Sequence, residues 1–412
     1  MHKKVILKKK ILFITHRYHP SVGGAELVFK KWAETLAEKG HSLQILTTAY
    51  SSGSDNYSEI NNDLSQTESI NTVSIYRFST YKFYFRIFFR IFWKPLLVIS
   101  PIKYLFGSLI YGPHFLPFPE EISSKKYDLI IAGPTPSATI YYAFLFSKIK
   151  KIPFVIFPHM HITDPIHTGL LNLIILKKSN KVITLTNAET KYLIKKGVDK
   201  NKILQVFNVV NSSILSNLSN KKKYLLNDIN NYVLFLGRED KYKNIFLLIE
   251  AMKIIWKKGY KQKLAIIGTR TTYFSPKLDH YINKLEGKYR KNIIRINNID
   301  EKTKIQILDH CLFLVNPSFY ESFGLVFLEA WARKKAVIGS NIDAVKCVID
   351  NNKNGILYKT NNLNDLGAKI TYLIDNPKTR MKMGKNGYIK IVKKYNETRL
   401  FNLIDKLITT IN

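Results

Sequence analysis

Asn316-Pro-Ser-Phe-Tyr-Glu-Ser-Phe-Gly-Leu-Val-Phe-Leu-Glu-Ala330 carries two carboxylates, Glu321 and Glu329, separated by the core Phe323-Gly324-Leu325. The run before it, Leu312 to Asn316, is short and apolar, as buried parallel strands are. With a helix starting near Phe323, Glu321 lies in the preceding loop and Glu329 about two turns inside. Both carboxylates then face the carboxyl end of the strand, where open α/β sheets bind ligands. Free N–H groups at the helix start favour an anion, and Gly324 lets it come close. A carboxylate there can accept two hydrogen bonds from vicinal hydroxyls, as on a ribose or hexose. The same letters also read as a capping box, Ser318 to Glu321, followed by an ordinary surface glutamate.

Outward from this stretch, strand-like and helix-like runs alternate. Lys10 to Thr15, Ser42 to Thr48, Tyr127 to Ala132, Phe154 to Phe157 and Lys181 to Thr186 are strand-like. After Asn208 to Asn231, where Asn, Ser and Lys dominate, the alternation resumes with Tyr232 to Gly237, Lys263 to Gly268, Ile293 to Ile296 and Ala336 to Gly339. This order predicts the α/β class, with parallel sheets covered on both faces. Two Rossmann-like domains facing each other across a cleft, 1–208 and 209–395, with a closing helix at 396–412, are the simplest arrangement. Leu129 to Ser147 lacks charge but is broken by Gly133-Pro134-Thr135-Pro136, so it reads as strand, turn and helix rather than a membrane span.

The 412 residues include 64 Lys+Arg against 30 Asp+Glu, a formal net charge of +34, so a polyanionic partner is expected: nucleic acid, anionic lipid or a phosphorylated small molecule. An apolar content of 46% excludes a disordered chain despite that charge. Two cysteines, Cys311 and Cys347, exclude a disulfide framework and favour a reducing, cytoplasmic setting. The apolar run after the Lys-rich start, Ile11 to Thr15, is too short for a signal peptide.

Gly23 and Gly24 end a loop just before a helix, which again suits an anion, or simply a tight strand-to-helix turn. Arg238 and Lys243 flank a polar run after a strand and can be solvated surface residues. His159, in Phe157-Pro-His-Met-His161, follows another strand, and His161, Asp164 and His167 lie nearby; His-x-His can hold a metal, though a loop histidine is more often merely polar.

Taken together, these motifs resemble the signature of the family 4 (group 1) glycosyltransferases, which have the GT-B fold. The resemblance rests on Glu321-x7-Glu329 with Phe323-Gly324-Leu325 inside it, Pro20-Ser-Val-Gly-Gly-Ala-Glu26, Gly40-His41, Gly237-Arg238 with Lys243, Ala265-Ile-Ile-Gly268 and Asn354-Gly355-Ile-Leu357. It implies a hexosyltransferase that moves a sugar from a nucleotide diphosphate sugar to a glycan or lipid-linked acceptor, with retention of configuration. It implies His159 and Glu321 as catalytic residues. Donor binding falls to Gly23, Gly24, Arg238, Lys243, Phe323, Gly324, Leu325 and Glu329. Arg238 and Lys243 would clamp the departing diphosphate. No metal and no cofactor beyond the donor itself is implied. The chain departs from the family in having Lys243-Asn244 for Lys-Gly, Asn208-Val209 for Asn-Gly, and Arg333-Lys334-Lys335-Ala336 for small-Gly-x-Pro. A non-catalytic GT-B binder is the rival reading.

Lys82, Arg86, Arg90 and Lys94 recur every four residues and form one basic ridge on a helix. Opposite lie Phe85, Phe88, Phe89, Phe92 and Trp93, the pattern of an interfacial helix on anionic lipid or of a core helix edged with charge. The expected setting is therefore cytoplasmic and peripheral to a membrane. No nucleic-acid partner is expected, because no helix-turn-helix, zinc-finger or RNA-motif signature occurs.

Overall fold

A computed structural model describes residues 8–21, 23–50, 63–78, 112–114, 118–215 and 231–411. The basic-aromatic segment with Lys82, Arg86, Arg90 and Lys94 lies outside them. The chain divides into two compact units, Met1–Val206 together with Phe401–Asn412, and Phe207–Leu400.

In the first unit, β1 (Lys10–Thr15), β2 (Ser42–Thr48), β3 (Thr67–Ile70), β4 (Val73–Phe78), β5 (Leu129–Gly133), β6 (Phe154–Ile156), β7 (Lys181–Thr184) and β8 (Ile203–Gln205) form one sheet in the order β3-β4-β2-β1-β5-β6-β7-β8. Only β3 runs antiparallel, joined to β4 through Asn71 and Thr72, both with positive φ, as a tight hairpin requires. Phe13 at the centre of β1 stands opposite Ile45 of β2 and Ile131 of β5, and all three are fully buried. The helix Gly24–Glu38 covers this centre with Val28, Phe29, Trp32 and Leu36. Spacings of one, three and four residues put these side chains on one stripe.

The second unit carries β9 (Tyr232–Leu236), β10 (Lys263–Gly268), β11 (Ile293–Asn297), β12 (Cys311–Asn316), β13 (Ala336–Ser340) and β14 (Ile356–Tyr358), all parallel, in the order β11-β10-β9-β12-β13-β14. Its inner strands are buried on both faces, so they read in sequence as unbroken apolar runs. Strand order reverses where β12 returns beside β9. The crevice at such a reversal is where doubly wound sheets bind ligands. In the first sheet the reversal falls at β1 and β5.

Leu129 to Gly133 is β5 and Ala138–Lys150 a helix, so the uncharged stretch is a strand, turn and helix as expected. Among the described residues no helix is long and apolar enough to cross a membrane.

Candidate active site

The loops after β9 and β12 meet at the second sheet's point of reversal. Asp240 organises the first loop. Its Oδ1 accepts from the N–H groups of Tyr242 (2.8 Å) and Lys243 (3.1 Å), winding a single 3-10 turn, and its Oδ2 takes Arg238 Nη2 at 3.0 Å. Asn244 then enters the helix Ile245–Lys257 in the left-handed region, φ 56° and ψ 37°. Asparagine tolerates this conformation better than other side-chain-bearing residues, so Asn244 substitutes for the family's glycine without rebuilding the turn. The second loop is tied to the first by Phe319 N–H donating to Tyr242 O at 3.1 Å. Across that junction Lys243 Nζ reaches Glu321 Oε1 at 2.5 Å, and Asn316 Nδ2 donates to the same oxygen at 3.1 Å.

The following helix spans Leu325–Ala332, two residues later than the sequence suggested. Glu329 is therefore just over one turn inside it, not two. Gly324 explains the delay: its φ of 86° keeps it outside the helix, and a Cβ there would lie 2.5 Å from the Phe327 ring. The capping box from Ser318 does not form either, since the helix begins only at Leu325, and Ser318 Oγ donates to Asn316 Oδ1. Phe327, Leu328 and Trp331 anchor the helix, with Trp331 Nε1 donating to Asn354 O at 2.8 Å. Each such side chain contributes about 2–3 kcal/mol by burial, which makes the helix a firm base for Glu329. Phe323 packs edge-on against Tyr395 at 5.7 Å.

Glu329 is buried and receives Lys304 Nζ at 2.6 Å. Burial pulls the Lys304 ammonium down, but the Glu329 carboxylate outweighs it and holds the group above the ordinary lysine value. Beside Arg238, Glu239 is wholly buried and takes Arg295 on both oxygens, at 2.6 Å from Nε and 2.5 Å from Nη2. That bidentate pair fixes the backbone from which Arg238 projects. The unusual Arg333-Lys334-Lys335 is structural: Arg333 pairs with Asp309 at 2.6 and 2.8 Å, Lys335 donates to Cys311 O, and Lys334 takes the left-handed φ of 56°.

In the first unit His159 follows β6 with a φ of 48°. Its ring stacks on Phe157 at 4.1 Å and lies 5.8 Å from Phe29 of the helix that Gly24 begins. Burial, and then proximity to His161, drops its pKa to about 3, so the imidazole is neutral at physiological pH. Nε2 is buried and has no hydrogen-bond partner among the described residues. Gly23 and Gly24 differ in role. A Cβ on Gly23 would lie 2.2 Å from Glu26 Oε2, because that carboxylate folds back onto the helix start, whereas a Cβ on Gly24 would meet nothing within 4 Å among the described residues.

His161, Asp164 and His167 each offer one potential ligand atom within 4.8 Å of the others. These groups are also engaged with the protein: His167 Nδ1 lies 3.0 Å from Thr135 Oγ1, and Asp164 Oδ1 accepts from Ile166 N–H at 2.9 Å.

The structure thus joins Lys243 to Glu321, and the Gly24 helix to His159 through Phe29. Arg238 is held by Asp240. Lys304, Asn316 and Glu239 were not foreseen. Lys304 has no distinguishing context among 64 basic residues, while Asn316 and Glu239 sit directly beside recognised motifs and could have been found there.

Residues 22–213 match the model of Glycosyltransferase Family 4, and residues 217–390 that of Glycosyl transferases group 1. An uncharacterized glycosyltransferase of Methanocaldococcus jannaschii is 28% identical over 52% of this chain and 62% of its own length. The capsular polysaccharide biosynthesis glycosyltransferase CapM of Staphylococcus aureus is 29% identical over 48% of this chain and 50% of its own. The chain thus spans about half to three-fifths of the length of these two relatives. Anabaena HepE, solved in complex with UDP and glucose, superposes with a TM-score of 0.69 over 98% of this chain and all of its own, at 17% identity. A glycosyltransferase from Rickettsia africae gives 0.69 at 19% identity, over 98% of this chain and 100% of that one. With both halves matched in order, the chain belongs to the group 1, family 4 glycosyltransferases and has the GT-B fold.

Proposed function

We propose that this protein transfers a hexosyl group from a nucleotide diphosphate sugar to a glycan or lipid-linked acceptor, with retention of configuration. The observation that carries the reading is the 2.5 Å contact between Lys243 and Glu321 at the reversal of the second sheet. It brings a cation suited to a diphosphate against a carboxylate suited to sugar hydroxyls, on two loops tied backbone to backbone.

In this reading the Phe207–Leu400 unit binds the donor. Glu329 accepts from the ribose hydroxyls, with Lys304 holding it in place. Arg238 and Lys243 take up the negative charge that grows on the departing diphosphate, and Gly324 and Leu325 offer backbone N–H groups to it. Phe323, locked by Tyr395, holds this turn in shape. Glu321, released from Lys243 as the phosphates engage that lysine, orients the sugar. The first unit binds the acceptor. Neutral His159 offers Nε2 to a sugar hydroxyl, and Gly24 leaves room beside the helix start. No step calls for a metal or a further cofactor. The basic residues Lys82, Arg86, Arg90 and Lys94 would bring the protein to an anionic membrane from the cytoplasmic side, to meet a lipid-linked acceptor.

A mass-spectrometric transfer assay over a panel of donors and acceptors tests this. Wild type should turn over at least one pair, and Arg238→Ala and Lys243→Ala should each lower kcat/KM by about 10²–10³-fold, as loss of a transition-state charge stabiliser does. Undiminished turnover in both variants would remove the pair from the donor site.

A further inference from the structure

Glu189 lies in the first turn of the helix Asn187–Lys195, where Thr186-x-x-Glu189 spells a capping box. Both halves of that box form: Thr186 Oγ1 accepts from Glu189 N–H at 3.2 Å, and the Glu189 carboxyl takes the Thr186 N–H in return. The carboxylate, however, reaches beyond its own helix. Oε2 accepts from Leu185 N–H at 2.8 Å, and Oε1 accepts from Met160 N–H at 3.1 Å, 29 residues away. The side chain is 2% exposed, so neither oxygen is spent on solvent.

Met160 N–H belongs to the peptide plane directly after His159. The plane directly before it is held as firmly, because Pro158 O accepts from both Thr135 N–H (2.8 Å) and Thr135 Oγ1 (2.9 Å). A residue's two backbone torsions are the rotations of these flanking planes about its Cα. Fixing both planes fixes φ and ψ together, and His159 is thereby kept in a left-handed conformation that costs about 1–2 kcal/mol. Without the Met160 anchor, the second plane is free to relax and swing the imidazole off Phe157.

We propose that Glu189 is a positioning residue for His159, setting the direction of its imidazole through the Met160 N–H. This rests on the transferase reading above, in which His159 meets the reacting sugar. A carboxyl group suits the task because it has two oxygens, which can accept from amides on different segments of chain. Burial pushes the Glu189 carboxyl up to about 7, and the amide donors of Leu185, Met160 and Thr186 work against that rise.

Glu189→Gln places an NH2 group where a backbone amide needs an acceptor. It should shift or broaden the His159 imidazole signals in ¹H–¹⁵N NMR of the nucleotide-bound protein. It should also lower kcat by about tenfold to 10²-fold with donor KM within twofold, because misplacement of about 1 Å costs that much. Thr186→Ala is the control: it removes the helix cap but leaves the Met160 bond, so it should lower the melting temperature without moving the His159 signals or kcat. Unmoved His159 signals in Glu189→Gln overturn the positioning role, whatever the activity. Shifted signals with unchanged kcat leave the geometry intact but remove His159 from the reaction, which is failure of the transferase reading at that residue. Equal shifts in Glu189→Gln and Thr186→Ala reduce Glu189 to helix stability alone and refute the proposal.

Discussion

Lys304→Met tests whether the Lys304–Glu329 pair anchors the site. The ammonium lies 2.6 Å from Glu329 Oε1, and the two side chains are only 19% and 8% exposed. Methionine keeps the apolar stem but leaves a buried carboxylate without its cation. Removing one partner of a fully buried pair costs about 3–5 kcal/mol. With about a fifth of the lysine in contact with water, the expected loss is about 2–3 kcal/mol. Glu329→Gln should cost less, about 1 kcal/mol, because the flexible lysine can turn its ammonium to solvent. Lys304→Met/Glu329→Gln, with no charge left to strand, should then be more stable than Lys304→Met alone. Urea unfolding at pH 7.5 reads all four proteins, and the slope against denaturant should not change. Calorimetry with a panel of nucleoside diphosphates should find weaker binding in Glu329→Gln with the fold intact. The reasoning fails if Lys304→Met lies within about 0.5 kcal/mol of wild type, the range of ordinary surface changes. It fails equally if the double variant is no more stable than Lys304→Met.

Gly324→Ala should cost about 2–4 kcal/mol, since it adds a left-handed Cβ 2.5 Å from the buried Phe327 ring; stability within 1 kcal/mol of wild type in urea would show that the turn can yield (about the left-handed cost alone). His159 is pushed from its ordinary 6.5 to about 3, so the folded state excludes a proton the unfolded chain accepts, and the histidine's contribution to stability is lost as pH falls below 6.5. The stability of wild type relative to His159→Gln should therefore fall by about 2 kcal/mol between pH 6.5 and 5; a difference independent of pH refutes it. Glu189 runs the other way: its pKa is raised from the ordinary 4.5 to about 7, so its contribution is present at low pH and lost as pH climbs from 4.5 through 7. Wild type measured against Glu189→Gln should accordingly lose stability on that climb, and a gain would reverse the assignment. Replacing Lys82, Arg86, Arg90 and Lys94 with Gln should release the protein from anionic vesicles, where four basic residues supply about 4 kcal/mol, while transfer to a short soluble acceptor continues; equal co-sedimentation of variant and wild type would remove the membrane role.

What was legible in the sequence follows burial. β1, β2, β9, β10 and β13 are central strands covered on both faces, so their apolar runs stand out, and β1, β2 and β10 match the expected limits residue for residue. The β3–β4 hairpin escaped because β3 is a four-residue edge strand, Thr67-Glu-Ser-Ile70, with polar side chains toward water. β8 and β14 are three residues each and, unlike the equally short but fully buried β6, are not buried along their whole length, so no unbroken apolar run marks them. At the site, Glu321 and Lys243 were legible through motif spacing, but their mutual contact depends on strand order. Glu189 was hidden by its own regularity, since Thr186-x-x-Glu189 is explained in full by helix capping until Met160 is seen opposite it.

The first unit is assembled from two separated pieces of chain, and the second interrupts it. Ile404, Leu407, Ile408 and Ile411 are all buried, Lys39 pairs with Asp405, and Lys9 Nζ donates to Ile411 O at 2.5 Å. These closing residues leave the ribosome about two hundred residues after Val206. During synthesis the first unit must therefore wait, with the surface beside Lys9 and Lys39 uncovered, while the second is completed from an unbroken length of chain. Nascent-chain aggregation and chaperone capture should concentrate in that interval. A premature stop after Leu400 would spare the unit just translated and damage the one made first.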